Sequence, residues 1–384
     1  MMRDWYFENT RIYQNGRLTV GSLLCQQGKI VAVGPQVENP GLPRVDCRGL
    51  MLVPGFIDSH THGAVGVDVN SADAEEIRRI GRFFAQQGTT AWNASILTDT
   101  EQQTLTAIQA VCEAMQHPQD SVPPLGIHLE GPFLSVEYKG AMPEHLLQAG
   151  DAQLFRRYQQ AAGGAIRYIT VSPEVAGVTE MVADIADEVT VGVGHSGATY
   201  DQTMATIRNG ARCCTHTLNA MRLLHQHEPA VMGAALESDI WCEMICDGRH
   251  LHPGTVRFLL KCKGLDKVVA VTDSIMAAGL GDGEYHLGVN RVTVKNGDAV
   301  LTETGVRAGS TLTMQAALKN LVRFTGLSVE QVLPILTQNP AECLRITDRK
   351  GRIAPGLDAD LVLLDDELNV CATYANGRCV YSAI

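Results

Sequence analysis

The chain has 384 residues and a formal net charge of −11; 45% of its residues are hydrophobic and 19% are charged. It contains no basic run and no Lys/Arg-rich segment interleaved with aromatic residues, which argues against nucleic acid and anionic membrane surfaces as partners. Eleven scattered cysteines include no Cys-x-x-Cys pair, and the first residues contain no apolar segment typical of a signal peptide. We therefore expect a soluble, cytoplasmic protein with reduced thiols.

Short strands and tight turns occupy both ends of the chain. Residues 1–52 contain strand-like runs with a turn at Asn15, and residues 350–384 contain similar runs with a turn at Asn376. Each of these asparagines is followed by glycine, and an Asn-Gly pair between strands is typical of a β-hairpin. The two ends together predict one small β-sandwich domain.

Between these ends, apolar runs of strand length alternate with segments of helical periodicity. The eight strand-like runs are Leu52–Ser59, Thr90–Leu97, Leu125–Leu129, Ile166–Val171, Val189–Val193, Cys213–Leu218, Trp241–Cys246 and Lys267–Val271. This alternation is typical of an α/β fold of the (β/α)₈ TIM barrel type, which takes about 250 residues by itself. We predict the barrel over residues 53–349, with a β-hairpin inserted near residues 285–302.

Residue types that bind metal ions follow five of the eight predicted strands. In such a barrel the carboxyl ends of all strands open on one face, where functional side chains gather. The residues at these ends are His60, His62, Glu130, His195, His216 and Asp273. The two-residue spacing of the first pair places both imidazoles on one side of a strand. Imidazole and carboxylate ligands together predict a site for Zn²⁺, Fe²⁺ or Mn²⁺.

The same residue types indicate a hydrolytic chemistry. A divalent ion lowers the pKa of a bound water to about 7 and polarises a carbonyl oxygen. Asp273 is the candidate for the general base that takes the proton of this water and passes it to the leaving nitrogen. The sequence therefore predicts a metal-dependent hydrolase that cleaves an amide.

Several motifs along almost the whole chain point to a known family. The most specific are HLEGPF at 128–133, THTLNAM at 215–221 and VTDSIMAAG at 271–279. VPGFIDSHTHG at 53–63 and the late GRIAPGLDADLVLLD are less informative about the substrate. With these motifs the chain resembles the amidohydrolase superfamily, and within it the N-acetylglucosamine-6-phosphate and N-acetylgalactosamine-6-phosphate deacetylases.

The resemblance implies a role for individual positions. Those that match metal-binding residues of the family are Glu130, His195 and His216 for the catalytic ion, and His60 and His62 for a second ion that only some members bind. Asp273 matches the catalytic aspartate. Expected contacts to the amino sugar substrate are Ala141, Met142, Asn219, Ala220, His227, Arg249, His250, Arg307, Ala308 and Gly309. The resemblance also implies one or two divalent ions, with Zn²⁺ expected ahead of Fe²⁺ or Mn²⁺. It further implies a homodimer.

Two positions depart from the family pattern. Met142 stands where the family has a histidine that reaches the substrate, and His227 stands where it has an arginine that grips the phosphate. A neutral imidazole offers one donor where a guanidinium offers a charged fork. The sequence thus leaves two substrates open: an N-acetyl amino sugar 6-phosphate held by other donors, or an N-acyl amino sugar or related amide without that phosphate.

Other activities of the superfamily fit the sequence less well. The predicted fourth strand, Ile166–Val171, has no lysine to bridge two ions as in the phosphotriesterase-like and cyclic-amide hydrolases. No glutamate follows His195 in the manner of the aminohydrolase-type deaminases. A cyclic-amide or other N-acyl hydrolase is the alternative activity. A non-catalytic barrel is expected to have lost a ligand or the aspartate, and this chain keeps all of them.

Overall fold

Eight parallel strands follow one another in sequence order around a barrel in the computed structural model, which describes residues 3–384. They are Phe56–Thr61, Thr89–Leu97, Gly126–Glu130, Ile166–Val171, Thr190–Val193, Cys213–Cys214, Trp241–Ile245 and Val268–Val271. The barrel closes between its first and last strands, where the Asp273 amide donates to the His60 carbonyl at 2.8 Å. The predicted (β/α)₈ barrel is confirmed.

Helices cover the outside of the barrel, which explains why its strands are continuous apolar runs rather than alternating ones. The helices are Ala74–Gln86, Glu101–Gln116, Ala152–Ala161, Val178–Ile185, Tyr200–Arg208, Ala230–Glu237, Pro253–Lys263, Met314–Thr325, Val329–Leu336 and Gln338–Cys343, with a 3₁₀ turn at Glu144–Leu146. The first of them begins at a reciprocal capping box between Asp73 and Glu76. Within residues 3–384, no helix is long and apolar enough to cross a membrane.

Strands from both ends of the chain form a second sheet, as the predicted β-sandwich requires. Its strands are Trp5–Gln14, Arg17–Gln26, Lys29–Gly34, Arg44–Asp46, Met51–Pro54, Leu361–Leu364, Val370–Ala375 and Arg378–Ser382. The two ends meet where the strand that begins at Leu361 pairs antiparallel with the strand that begins at Met51. The sheet encloses a hydrophobic core of its own, which includes Phe7, Leu23 and Leu363.

The first predicted strand is divided in two. The apolar run Leu52–Ser59 contributes its first part to the terminal sheet and its second part to the barrel, with Gly55 between them. A Cβ on Gly55 would lie 2.0 Å from Oγ1 of Thr90, so only glycine fits at this crossing. Both parts are buried, and the apolar residues on either side of Gly55 run on without interruption from Met51 to Ile57. Hydrophobic patterning alone therefore does not reveal the break.

The predicted inserted hairpin is a three-stranded antiparallel sheet. Its strands are Gly283–Leu287, Asn290–Lys295 and Asp298–Leu301. Its apolar face packs on Leu97, Met142 and Ile275 beside the open face of the barrel. Asp68 anchors it, because its buried carboxylate accepts a hydrogen bond from the Gly288 amide at 2.7 Å. The predicted hairpin near residues 285–302 includes only the end of the first strand, which is five residues long and exposed at Glu284 and His286.

A buried lysine holds two carboxylates next to the terminal sheet. Lys350 is 5% exposed, its ammonium lies 3.1 Å from Asp358 Oδ2, and it also contacts Asp360. Burial by itself lowers the pKa of Lys350, but the two carboxylates outweigh burial and raise it. Lys29 contacts the same Asp358 from a side chain that is 48% exposed.

We expect Lys350→Ala to lower the free energy of unfolding by about 3–5 kcal/mol, because it leaves the buried carboxylate of Asp360 without its cation, whereas Asp358 keeps Lys29. Lys29→Ala is the matched control, and we expect it to cost less than about 1 kcal/mol because its ion pair is solvated. Urea denaturation followed by circular dichroism measures both. An equal loss of unfolding free energy in the two variants would contradict the claim that burial makes the Lys350 ion pairs the stronger ones.

Candidate active site

All six residues singled out at the strand ends lie together at the carboxyl face of the barrel. Their ligand atoms form two groups, and within each group these atoms lie within 4.8 Å of one another. The groups are Glu130, His195 and His216, and His60, His62 and Asp273. Each residue is at most 8% exposed. Residues from five strand ends, far apart in sequence, thus converge on one small volume.

Glu130 lies between the two groups. Its Oε1 is 3.2 Å from Nε2 of both His195 and His216. Its Oε2 is 3.1 Å from Nε2 of His62. Asp273 faces the same point from the other side, with Oδ1 3.3 Å from Nε2 of His62. One carboxylate of this cluster therefore contacts imidazoles of both groups, and the other belongs to the second group.

Hydrogen bonds at the far nitrogen orient three of the four imidazoles. Nδ1 of His62 lies 3.2 Å from the Ser95 carbonyl, and Nδ1 of His195 lies 2.8 Å from the Tyr138 carbonyl. A carbonyl only accepts, so both rings carry a proton on Nδ1 and direct Nε2 at the cluster. Nδ1 of His60 is held by Glu243 at 3.1 Å. Metal-binding histidines typically have such outer partners.

Sequence patterns do not single out these outer partners. Ser95 and Glu243 lie inside apolar strand runs, and Tyr138 acts through its backbone. His128 is fully buried between Ser95 and Thr170, 2.8 Å from each hydroxyl. Two-residue alternation along the strands is the one signal that could have found Ser95 and Glu243, because it places their side chains inside the barrel.

The backbone is left-handed at three of the six residues. The φ angles are 47° at His195, 28° at His216 and 48° at Asp273. Non-glycine residues rarely adopt this region, and it costs of order 1–3 kcal/mol at each position. In each case the residue lies just beyond the end of a barrel strand. The strained turn directs its side chain into the cluster instead of continuing the strand.

The cluster carries more negative charge than its surroundings balance. Within residues 3–384, the ion pairs of Glu130, Asp273 and Glu243 are all with histidines. Burial lowers the pKa of His60 and His62, but the carboxylates outweigh it, so that the pKa of His60 lies well above its ordinary value and that of His62 reaches about 9. These donors therefore fit a divalent cation, which supplies the missing positive charge.

A cavity of about 330 Å³ opens directly above the cluster. Among its lining residues are eight of the expected substrate contacts: Ala141, Met142, Asn219, Ala220, His250, Arg307, Ala308 and Gly309. Leu97, Leu287 and Val306 add an apolar wall, and Glu137 adds a carboxylate. Arg307 is the one arginine or lysine among the lining residues, and Asp298 pairs with it at 2.9 and 3.0 Å.

Two of the expected substrate contacts, His227 and Arg249, are not among the residues that line this cavity. His227 is exposed on a surface loop, next to Gln226. The guanidinium of Arg249 donates to the Asn296 carbonyl in a turn of the inserted sheet, and Arg249 is not among the lining residues. Arg249 is next in sequence to the lining residue His250, but its hydrogen bond to Asn296 holds its side chain at the inserted sheet.

The barrel, its terminal sheet and the buried histidine–carboxylate cluster define a hydrolase class. The amidohydrolase family matches residues 51–380 of the chain. This match covers most of the sequence, from the strand that enters the barrel to the last strand of the terminal sheet. The chain belongs to the amidohydrolase family, whose members act on carbon–nitrogen bonds and generally depend on divalent metal ions.

Individual relatives narrow this class. The chain is 32% identical to the N-acetylglucosamine-6-phosphate deacetylase of Lysinibacillus sphaericus, over 96% of this chain and 95% of the relative. It is 35% identical to that of Bacillus subtilis, over 86% and 85%. The structure of a variant from Mycobacterium smegmatis in complex with N-acetyl-D-glucosamine-6-phosphate superposes with a TM-score of 0.91 at 31% identity, covering 99% and 100%. Within its family, the chain belongs with these deacetylases.

We expect the affinity of the cluster for Zn²⁺ to rise steeply from about pH 6 to about pH 9. In the metal-free protein His60 and His62 hold protons at neutral pH, and a bound cation must displace them. Glu130 and Asp273 stay ionised over this range. Burial alone would raise their pKa values, but the neighbouring histidines outweigh burial and lower them below the ordinary values. Isothermal titration calorimetry in buffers of different protonation enthalpy measures the released protons. An affinity independent of pH would contradict this protonation scheme.

Proposed function

We propose that the protein hydrolyses the acetamido group of an N-acetyl amino sugar 6-phosphate and releases acetate and the amino sugar phosphate. The single observation that carries this proposal is the buried cluster of Glu130, His195 and His216, with Asp273 facing it at the floor of a sugar-sized cavity. The relatives support the choice of substrate, because their names specify this reaction and one of them was crystallised with N-acetyl-D-glucosamine-6-phosphate.

In this proposal Glu130, His195 and His216 hold the catalytic ion, and His60 and His62 hold a second one. When bound, the divalent ion lowers the pKa of the attacking water and polarises the amide carbonyl. Zn²⁺ suits a set of imidazole and carboxylate ligands, with Fe²⁺ or Mn²⁺ as alternatives. Asp273 takes the proton of the water and delivers it to the leaving nitrogen. Burial would favour the neutral carboxyl group, but His60 and His62 outweigh burial, lower the pKa of Asp273 and keep it ready to accept a proton.

The substrate lies, in this proposal, between the cluster and the inserted sheet. Arg307 supports the phosphate, because a guanidinium is the best matched side chain for a phosphate group. The side chain of Arg307 is 36% exposed and forms an ion pair with Asp298. Asn219 and His250 supply further polar contacts to the sugar. Met142 is 2% exposed and packs with the inserted sheet, so it contributes shape rather than a hydrogen bond.

We further propose a cytoplasmic homodimer. All eleven cysteines are free thiols, which suits a reducing compartment. The loop that carries His227 also exposes Leu223 and Leu224, by 70% and 54%, and a second copy of the chain would cover them. Residues 53–349 form the catalytic unit of this proposal, and residues 1–52 with 350–384 support it.

Asp273→Asn should lower kcat by about 10²–10⁴-fold, because the amide cannot take up the proton of the water. The variant should still retain the ion held by Glu130, His195 and His216, and mass spectrometry of the protein-bound metal provides that control. Retained activity would remove Asp273 from the mechanism.

The substrate is tested by comparing deacetylation of N-acetylglucosamine 6-phosphate, N-acetylgalactosamine 6-phosphate and their unphosphorylated forms. We expect turnover of a phosphorylated compound and, in Arg307→Ala, a KM for it that is higher by about 10–100-fold, since a charge-assisted hydrogen bond contributes about 1.5–3 kcal/mol. The KM for the unphosphorylated sugar is the internal control and should not change. Turnover of unphosphorylated compounds alone would favour the alternative, an N-acyl amino sugar or cyclic-amide hydrolase without a phosphate site.

A further inference from the structure

A buried glutamate on the seventh barrel strand lies directly beneath the cluster. Glu243 is 1% exposed and contacts one member of each ligand group, His60 and His216. We propose that Glu243 is a positioning residue that enables the site to hold two cations at once, by fixing the ring of His60 and the backbone turn at His216. This inference rests on the metal site of the proposed function.

The first contact sets the orientation of an imidazole. Oε2 of Glu243 lies 3.1 Å from Nδ1 of His60, and a carboxylate only accepts a hydrogen bond. The ring of His60 therefore carries its proton on Nδ1 and presents Nε2 to the cluster, 3.2 Å from Nε2 of His62 and 3.4 Å from Oε1 of Glu130. The far oxygen of the carboxylate is held in turn by the Ser59 hydroxyl at 3.3 Å.

The second contact holds a strained turn. His216 has a φ of 28°, and its Nδ1 is buried without a hydrogen-bond partner. Its ring is thus the one imidazole of the four that no outer partner orients among the described residues. The backbone does this instead: the His216 amide donates to Oε2 of Glu243 at 3.0 Å, and the Thr217 amide donates to the Glu243 carbonyl at 2.9 Å.

A comparison with a neighbouring carboxylate sets Glu243 apart. Asp58 is equally buried and also lies near His60, but it binds Thr272 and the His60 amide rather than a ring. A buried carboxylate without an arginine or lysine is costly unless a cation nearby compensates it. For Glu243 this cation is the metal ion that His60 binds. The hydrogen bond from His60 to Glu243 strengthens His60 as a ligand and so keeps that ion close to the buried carboxylate.

The test uses three variants of the full-length protein loaded with Zn²⁺. Glu243→Ala removes both hydrogen bonds, whereas Glu243→Gln keeps an amide oxygen that can accept from both His60 and His216. Asp68→Asn is the matched control, because Asp68 is a buried carboxylate that accepts from the Asn70 and Gly288 amides and from no ligand ring. The measurements are the zinc retained after gel filtration and the affinity in competition with a chromogenic chelator.

We expect wild type and Asp68→Asn to retain two zinc ions. Glu243→Ala should retain one, with the second bound about 10–100-fold more weakly, and Glu243→Gln should recover most of that affinity. Two ions held by Glu243→Ala with wild-type affinity would overturn the inference, and so would a Glu243→Gln variant as weak as Glu243→Ala. A wild-type protein that binds no zinc would instead refute the metal site of the proposed function.

A second measurement does not depend on the folding of the Glu243 variants. In the zinc-loaded wild type with ¹⁵N-labelled histidine, the resonances of His60 are assigned by their loss in His60→Gln. We expect the proton on Nδ1, toward Glu243, and the metal on Nε2. A proton on Nε2 of His60 would overturn the positioning role.

Discussion

The hydrogen bond from the Asp273 amide to the His60 carbonyl closes the barrel, and the rest of the molecule depends on that closure. A parallel sheet of eight strands has all its carboxyl ends on one side, and closing it brings the first end next to the last. Residues more than 200 positions apart in sequence thereby become neighbours across a few ångströms. Without closure, the two ligand groups would have no common centre.

The features that suit the cluster to binding a cation also lower the stability of the folded protein. Within residues 3–384, Glu130, Asp273 and Glu243 are buried and form no ion pair with a lysine or arginine, and three residues of the cluster have a left-handed backbone. Each of these features costs free energy, which the aliphatic core around the barrel offsets. The excess negative charge makes cation binding favourable, since a divalent ion relieves it. Stability and cation binding are thus coupled in this protein.

The cavity above the cluster is shaped by a different part of the molecule. The inserted sheet brings Leu287 to this cavity, and its Asp298 pairs with the lining residue Arg307, while Asp68 anchors the sheet. The barrel face carries the cluster, whereas this insertion and the loop before Met142 shape the cavity above it. Substitutions in the insertion can therefore change the cavity without disturbing the closed barrel.

The sequence by itself determined the barrel, the terminal β-domain and the six cluster residues, because strand period, helix period and ligand chemistry are local properties. It did not reveal the break at Gly55, the contacts of Glu243 or the hydrogen-bond partner of Arg249, since each depends on a contact with a segment far away in the chain. A buried glutamate in an apolar strand has no local signature. Only the closed barrel decided that Glu243 lies beneath His60 and His216, because closure sets which inward-facing side chains meet.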